Sequence, residues 1–70
     1  MDIVYENRIG MDYVQDGVLH RCVNATSIQL ESLMDIDNLP TDYRPGIIAH
    51  MPGYTKMWEY TPDGTWASIL

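Results

Sequence analysis

Alternating apolar and polar positions, interrupted by turn residues, divide the chain into short predicted strands. Residues 2–9 predict a first strand that ends at Gly10 and carries four apolar residues: Ile3, Val4, Tyr5 and Ile9. Residues 11–23 predict a β-hairpin, because Asp16-Gly17 can supply the positive backbone angles of a tight primed turn. The N-terminal region, residues 2–23, is therefore expected to consist of strands.

The position of the Asp16-Gly17 turn also predicts the register of the hairpin. Counting outward from the turn sets Val14 opposite Leu19 and Tyr13 opposite His20. The next pair is Asp12 and Arg21. Opposite charges facing each other across two strands are favourable, which supports this register.

Residues 24–46 are interpreted as a connector. Asn24, Thr26 and Ser27 are good helix caps, and a rough helical stripe follows them: Ile28, Leu30, Leu33, Met34 and Ile36. This pattern predicts at most one short helix around residues 27–36, with an irregular arm as the alternative. Residues 37–46 contain two prolines and no periodicity, so they are expected to lack regular structure.

The C-terminal region, residues 47–70, predicts a three-stranded meander with strands at 47–51, 56–61 and 65–70. The second connection, Pro62-Asp63-Gly64, has the residues that a tight turn requires. Alternation assigns one face to Ile47, Ala49, Met51, Trp58, Tyr60, Trp66, Ser68 and Leu70. The other face takes Ile48, His50, Met57, Glu59, Thr65, Ala67 and Ile69. We expect one face to meet the N-terminal hairpin and the other to meet a further surface.

Together these elements predict one small, mostly β domain over residues 1–70, with five or six strands in antiparallel hairpins and the meander. A domain of 70 residues buries only about 60% of the surface that its unfolded chain exposes. Its single cysteine, Cys22, excludes an internal disulfide. A homo-oligomer, or docking on a larger scaffold, is therefore expected.

The composition and charge of the chain argue against several classes of partner and of cellular location. Ten acidic residues against four Lys and Arg give a net charge of −6, and the basic residues are scattered, so no nucleic-acid partner is expected. No window approaches the roughly 18 apolar residues of a membrane span. The N-terminal residues lack the basic and apolar regions of a signal peptide, so we expect no export by such a signal.

Two short segments partly match catalytic or metal-binding patterns. His20 and Cys22 lie two apart and would point the same way on a strand, as a Cys-His nucleophile requires, but no orienting acid is evident. Asp35-Ile36-Asp37-Asn38 resembles the start of a calcium loop until Leu39 and Pro40 break the pattern. Neither feature predicts an activity, so we expect a non-enzyme without cofactor or metal.

The candidate functional residues are instead apolar and lie in the meander. Trp58, Tyr60 and Trp66 share one predicted face and could form the core, an interface or a platform for carbohydrate. The full set of core or interface candidates is Trp58, Tyr60, Trp66, Ile47, Ile48, Met57 and Ile69.

The second half of the chain resembles a segment of small bacteriophage structural proteins. Its parts are Leu39-Pro40-Thr41, then Pro45-Gly46-Ile47-Ile48-Ala49-His50, Met57-Trp58-Glu59-Tyr60 and Asp63-Gly64-Thr65-Trp66. The resemblance covers about residues 38–70 and matches the head-fibre, decoration, neck and tail-accessory classes. It is a pattern of residue types: a proline-led arm, a strand after glycine, an aromatic strand and a closing strand with glycine before tryptophan. It implies a β-rich virion component and carries no catalytic residue.

The resulting expectation is a structural, non-enzymatic virion accessory protein that docks on a capsid, neck or tail scaffold and contacts other virion proteins. Two alternatives stay open at this point. One is a small acidic phage-encoded regulator that inhibits a host protein. The other is a carbohydrate-binding module that uses the aromatic sheet face.

Overall fold

Seven short strands join into one sheet in the computed structural model, which describes residues 2–70. The strands are β1 (Asp2–Ile9), β2 (Asp12–Gln15), β3 (Val18–Val23), β4 (Ser27–Gln29), β5 (Ile48–His50), β6 (Met57–Tyr60) and β7 (Trp66–Ser68). Their order across the sheet is β1-β3-β2-β4-β5-β6-β7. The prediction of a mostly β chain with hairpins and a meander is confirmed, with more strands than the five or six expected.

The predicted hairpin and its register are confirmed. Tyr13 pairs with His20 and Val14 with Leu19 across β2 and β3. Asp16 and Gly17 adopt φ angles of 54° and 76°, as the primed turn requires. Glu31 also stabilises this turn, because its carboxylate accepts the main-chain N–H groups of both turn residues at 3.0 and 3.3 Å.

The predicted meander is also confirmed, as antiparallel pairs β5–β6 and β6–β7. Tyr60 pairs with Trp66, and Trp58 pairs with Ser68, as counted from the turn. The expected packing of the meander on the hairpin is wrong, however. The two units lie edge to edge in one sheet, because β4 pairs in parallel with β2 on one side and with β5 on the other.

The segment expected to hold a short helix begins as strand β4. Only Leu33–Asn38 is helical, as a 3-10 segment capped by Ser32 rather than by Asn24, Thr26 or Ser27. Ser32 accepts the N–H of Met34 at 3.2 Å, and Asp35 accepts the N–H of Ser32 at 2.9 Å. Leu33 and Met34 are exposed, so the apolar stripe does not mark a buried helix face. A second 3-10 turn, Pro52–Tyr54, connects β5 to β6.

The segment between β4 and β5, residues 30–47, crosses one face of the sheet and completes the core there. Leu30, Leu39 and Tyr43 come from this crossover and are buried. The strands contribute the other buried apolar side chains of the core cluster: Val14, Leu19, Ile28, Ala49 and Tyr60. Parallel neighbours such as β4 and β5 need a long connection, and here this connection also packs over the core.

A buried carboxylate ties the crossover to the hairpin. Asp12 is 3% exposed; its carboxylate accepts the N–H of Cys22 at 2.8 Å and the hydroxyl of Tyr43 at 3.0 Å. The Nε of Arg21 lies 3.9 Å from the same carboxylate, and its guanidinium lies 4.5 Å from the centre of the Tyr43 ring. Burial, and next the charge of Asp12, raise the pKa of Tyr43. The hydroxyl therefore stays protonated and keeps donating to Asp12.

Candidate functional site

Strand β1 forms one edge of the sheet and carries the most exposed apolar residues in it. Six of its eight residues pair with β3, with a register shift between Glu6 and Ile9, and within residues 2–70 no strand pairs with its other side. Tyr5 is 72% exposed and Ile9 is 81% exposed, and Ile3 and Val4 are exposed as well. An edge strand presents main-chain N–H and C=O groups to solvent, so β1 can accept another strand.

A polar cluster attaches β1 to the rest of the sheet. Glu6 of β1 lies at its centre, with one carboxylate oxygen 2.7 Å from Nδ1 of His20. The same oxygen accepts the hydroxyl of Tyr13 at 3.1 Å, and the other oxygen lies 2.8 Å from Nε of Arg8. Glu6 therefore connects three strands, because Tyr13 belongs to β2 and His20 to β3.

Stacked rings support this cluster from the side. The Tyr13 and His20 rings lie 4.6 Å apart and are parallel within 2°. The Arg8 guanidinium lies 4.9 Å from the Tyr13 ring centre, within the range of a cation–π contact. The hydrogen bond with His20 lowers the pKa of Glu6. Burial, and next the hydrogen bond to Glu6, raise the pKa of Tyr13. At neutral pH Glu6 is therefore an anion that accepts from a neutral phenol.

The structure places an acid, Glu6, on the imidazole of His20 in the candidate Cys22–His20 pair, where the sequence showed none. Parallel pairing of β1 with β3 sets Glu6 opposite Cys22 and so beside His20. The Cys22 thiol lies 3.0 Å from the Met11 carbonyl and 3.8 Å from the Glu6 carboxylate. Because the Cys22 thiol contacts these two oxygens, we interpret Cys22 as part of the contacts that hold β1 in the sheet and not as an activated nucleophile.

An open groove borders the cluster where β1 and β3 end. Its lining residues are Tyr5, Glu6, Asn7, Arg21, Cys22, Val23 and Asp42. Arg21 at the groove is already engaged, since its guanidinium donates to both oxygens of Asp42 at 3.3 Å. The groove thus continues the exposed β1 edge and offers no free cation to an anionic ligand.

The residues predicted from the sequence lie at the opposite end of the sheet and divide between its faces. Tyr60 is 3% exposed and belongs to the core, and three others pack against it: Ile47, Trp58 and Trp66. Ile48 and Met57 are half-buried, whereas Ile69 is exposed. The aromatic group around Trp66 includes Tyr43 from the crossover, whose ring lies 5.7 Å from Trp66 and 6.1 Å from Tyr60.

Within residues 2–70 the structure has neither a metal-binding cluster nor a membrane-spanning helix. No three or more His, Cys, Asp or Glu side chains in this range are grouped to hold a metal ion. None of its helical segments has the length and apolar character to cross a membrane. Comparisons of the chain with protein-family models, curated proteins and solved structures gave no match.

Proposed function

We propose that this chain is a non-enzymatic structural component of a bacteriophage particle, made in the host cytoplasm and docked on a larger capsid, neck or tail scaffold. The observation that carries the proposal is the open edge of β1, with its exposed Tyr5 and Ile9. A strand that adds to such an edge gains main-chain hydrogen bonds and covers apolar side chains at the same time.

The thin core supports a role in assembly. The buried apolar cluster consists of eight side chains, including one alanine. A domain of this size reaches only about 3–5 kcal/mol of stability from its own core. Docking on a partner adds to the stability of the folded state, because a partner that binds only that state shifts the folding equilibrium.

The distribution of charge supports a protein partner over a nucleic acid. Two of the four Lys and Arg residues, Arg8 and Arg21, already contact carboxylates within the chain. Phosphate backbones are bound by clusters of free basic groups. The partner proposed here is therefore another virion protein.

The resemblance to small bacteriophage structural proteins supplies the setting. It covers residues 38–47 of the crossover and the three strands of the meander, β5 to β7. The aromatic residues of that segment pack into the core, with Tyr60 buried and Trp66 beside it. In this proposal the meander contributes to the core of the domain, and the surface that docks is the β1 edge.

Mass spectrometry of purified particles tests the proposal directly, since the chain is expected among the virion proteins. Absence from particles that are otherwise complete would refute the virion function.

Incorporation of Ile9→Lys then tests the surface, with Met34→Lys as the matched control, because both residues are highly exposed (81% and 74%) but Met34 lies in the 3-10 segment. We expect both variants to fold by circular dichroism and only Met34→Lys to be incorporated normally. Equal incorporation would exclude the β1 edge.

A further inference from the structure

Strand β7 forms the other edge of the sheet, and alternate residues along it bond to β6. The N–H of Ile69 donates to the Met57 carbonyl at 3.0 Å, and the Thr65 carbonyl accepts the N–H of Thr61 at 2.8 Å. Ala67 lies midway between these two points and is also paired with β6. Because hydrogen-bonded positions alternate along an antiparallel pair, the odd-numbered residues of this segment direct their main-chain groups into the sheet.

The even-numbered residues of the same segment direct their main-chain groups to the free side of β7. These residues are Trp66, Ser68 and Leu70. Within residues 2–70 no strand pairs with that side of β7. The Leu70 carbonyl meets the Ser68 hydroxyl of its own chain at 3.4 Å, a long contact that leaves room for a better donor. The free side of β7 can therefore bond to another strand.

The β7 edge also lacks the charges that keep edge strands apart. Residues 64–70 contain no charged residue and no proline, although the chain carries a net charge of −6. By contrast, β1 carries Asp2, Glu6 and Arg8, and its pairing shifts register between Glu6 and Ile9. Charged side chains and irregular pairing hinder contact between edge strands. Two copies of this acidic chain can therefore meet at β7 without setting like charges directly opposite each other.

We propose that β7 pairs antiparallel with β7 of a second copy of this chain, around a twofold axis at Ser68. In this register Ser68 lies opposite its own copy, and Trp66 of each chain lies opposite Leu70 of the other. The outward N–H and C=O groups of all three residues then find partners in the second copy. This inference goes beyond the proposed function, because β1 stays free for the scaffold at both ends of the joined sheet.

Neighbouring registers use less of the free edge. A twofold axis at Ala67 or at Ile69 would pair only two of the three outward-bonding residues with one another. An axis at Trp66 would set Leu70 opposite Pro62, which has no N–H to donate. The proposed axis pairs all three outward-bonding residues, so it is the favoured register.

The same register also covers apolar side chains. Leu70 is exposed and would lie across from Trp66 of the second copy, whose ring packs beside the core. On the other face of the sheet, the exposed Ile69 would lie across from Ala67 of the second copy. Side chains directly opposite each other on one face are the pairs that stabilise a sheet. The contact is closed after two copies, because a twofold contact uses the same patch on both.

Disulfide trapping tests the register. In a Cys22→Ser background, Ser68→Cys places two thiols opposite each other across the axis, at a Cα separation of about 5.5 Å, which suits a disulfide. Ala67→Cys is the matched control, because that exposed position would lie diagonally across from its own copy, at roughly 7–8 Å. Under mild oxidation we expect Ser68→Cys to give a covalent species of twice 8.0 kDa and Ala67→Cys to stay largely single. Equal or better cross-linking of Ala67→Cys would overturn the register.

Introduced charges test the pairing itself by sedimentation. Ser68→Asp and Ser68→Lys each set two like charges opposite each other in a homodimer, so each alone is expected to weaken dimerisation by about two- to fivefold. An equimolar mixture sets opposite charges across the axis and should recover the dimer. Met34→Asp is the matched control, because it adds the same charge in the 3-10 segment, outside β7, and should leave dimerisation unchanged.

The outcomes separate this inference from the proposed function. A mixture that dimerises no better than either Ser68 variant alone refutes the pairing, and so does a wild-type chain that is monomeric at every concentration tested. A monomer that still enters particles refutes this inference alone. A dimer that is absent from particles refutes the virion function alone.

Discussion

Replacing Tyr43 with phenylalanine isolates the hydrogen bond that ties the crossover to the hairpin. The variant keeps the ring, with its contacts to Trp66 at 5.7 Å and to the Arg21 guanidinium at 4.5 Å. It removes the hydroxyl that donates to Asp12 at 3.0 Å. The nearest remaining side-chain cation is Nε of Arg21 at 3.9 Å, too long for a good hydrogen bond.

The expected cost is large for a domain of this size. A hydrogen bond to a charged group contributes about 1.5–3 kcal/mol, and an unsatisfied buried acceptor adds a desolvation cost. With a total stability of about 3–5 kcal/mol, Tyr43→Phe should remove about a third to a half of it or more. At a urea dependence of about 1 kcal/mol per molar, the unfolding midpoint should fall by about 1.5–3 M.

Urea unfolding followed by tryptophan fluorescence and circular dichroism, at one fixed protein concentration, measures this shift. Tyr54→Phe is the matched control, because Tyr54 is half-exposed and contacts His50 through its ring at 4.2 Å. Its free energy of unfolding should stay within about 0.5 kcal/mol of wild type. Asp12→Asn keeps an acceptor for the Cys22 N–H and should cost less in the Tyr43→Phe background than in wild type. Equal midpoints for Tyr43→Phe and wild type would refute the reasoning.

Three further outcomes are expected. Trp66→Ala should cost about 3–5 kcal/mol and unfold the isolated chain, whereas Asp37→Ala should leave the circular dichroism spectrum unchanged; a folded Trp66→Ala would contradict its place beside the core. Cys22→Ser should cost about 0.5–2 kcal/mol in urea and leave assembly intact, and loss of assembly on adding a reducing agent to the wild type would reveal an intermolecular disulfide instead. The pKa of Glu6 is lowered in the fold, so Glu6 stabilises the protein above the ordinary glutamate pKa, and this stabilisation is lost as the pH falls through the lowered pKa. Glu6→Gln should remove this part of the acid dependence of the melting temperature. A variant with the same acid dependence as the wild type would show that Glu6 does not contribute to it.

The elements that could be predicted from the sequence are those defined by a local turn. Asp16-Gly17 determines the β2–β3 register and Pro62-Asp63-Gly64 determines the β6–β7 register, since each turn leaves one way to pair the flanking residues. The start of the 3-10 segment was missed, although Ser32 and Asp35 have the spacing of a capping box that could have located it.

The parts that could not be predicted depend on residues far apart in the chain. β4 is only three residues long, and its place between β2 and β5 is determined by parallel pairing on both sides. No local pattern specifies such a pairing. The Glu6–His20 contact was missed for the same reason, because the parallel alignment of β1 with β3 brings the two residues together. Asp12 was expected in a cross-strand ion pair, and its burial becomes evident only once the crossover lies over it.

The central position of β4 has a consequence for the order in which the chain folds. The β2–β3 hairpin and the meander each pair residues close in sequence, and such hairpins form in about 1–10 μs. β4 joins these two units only after residues 30–47 have closed a long loop, as when Ile28 pairs with Ala49. Non-local pairing of this kind is slow, because the loop entropy is lost before the contacts form. The unit of β2 and β3 and the meander should therefore exist briefly as two separate pieces, whose unpaired edges are open to other chains until Ile28 is in place.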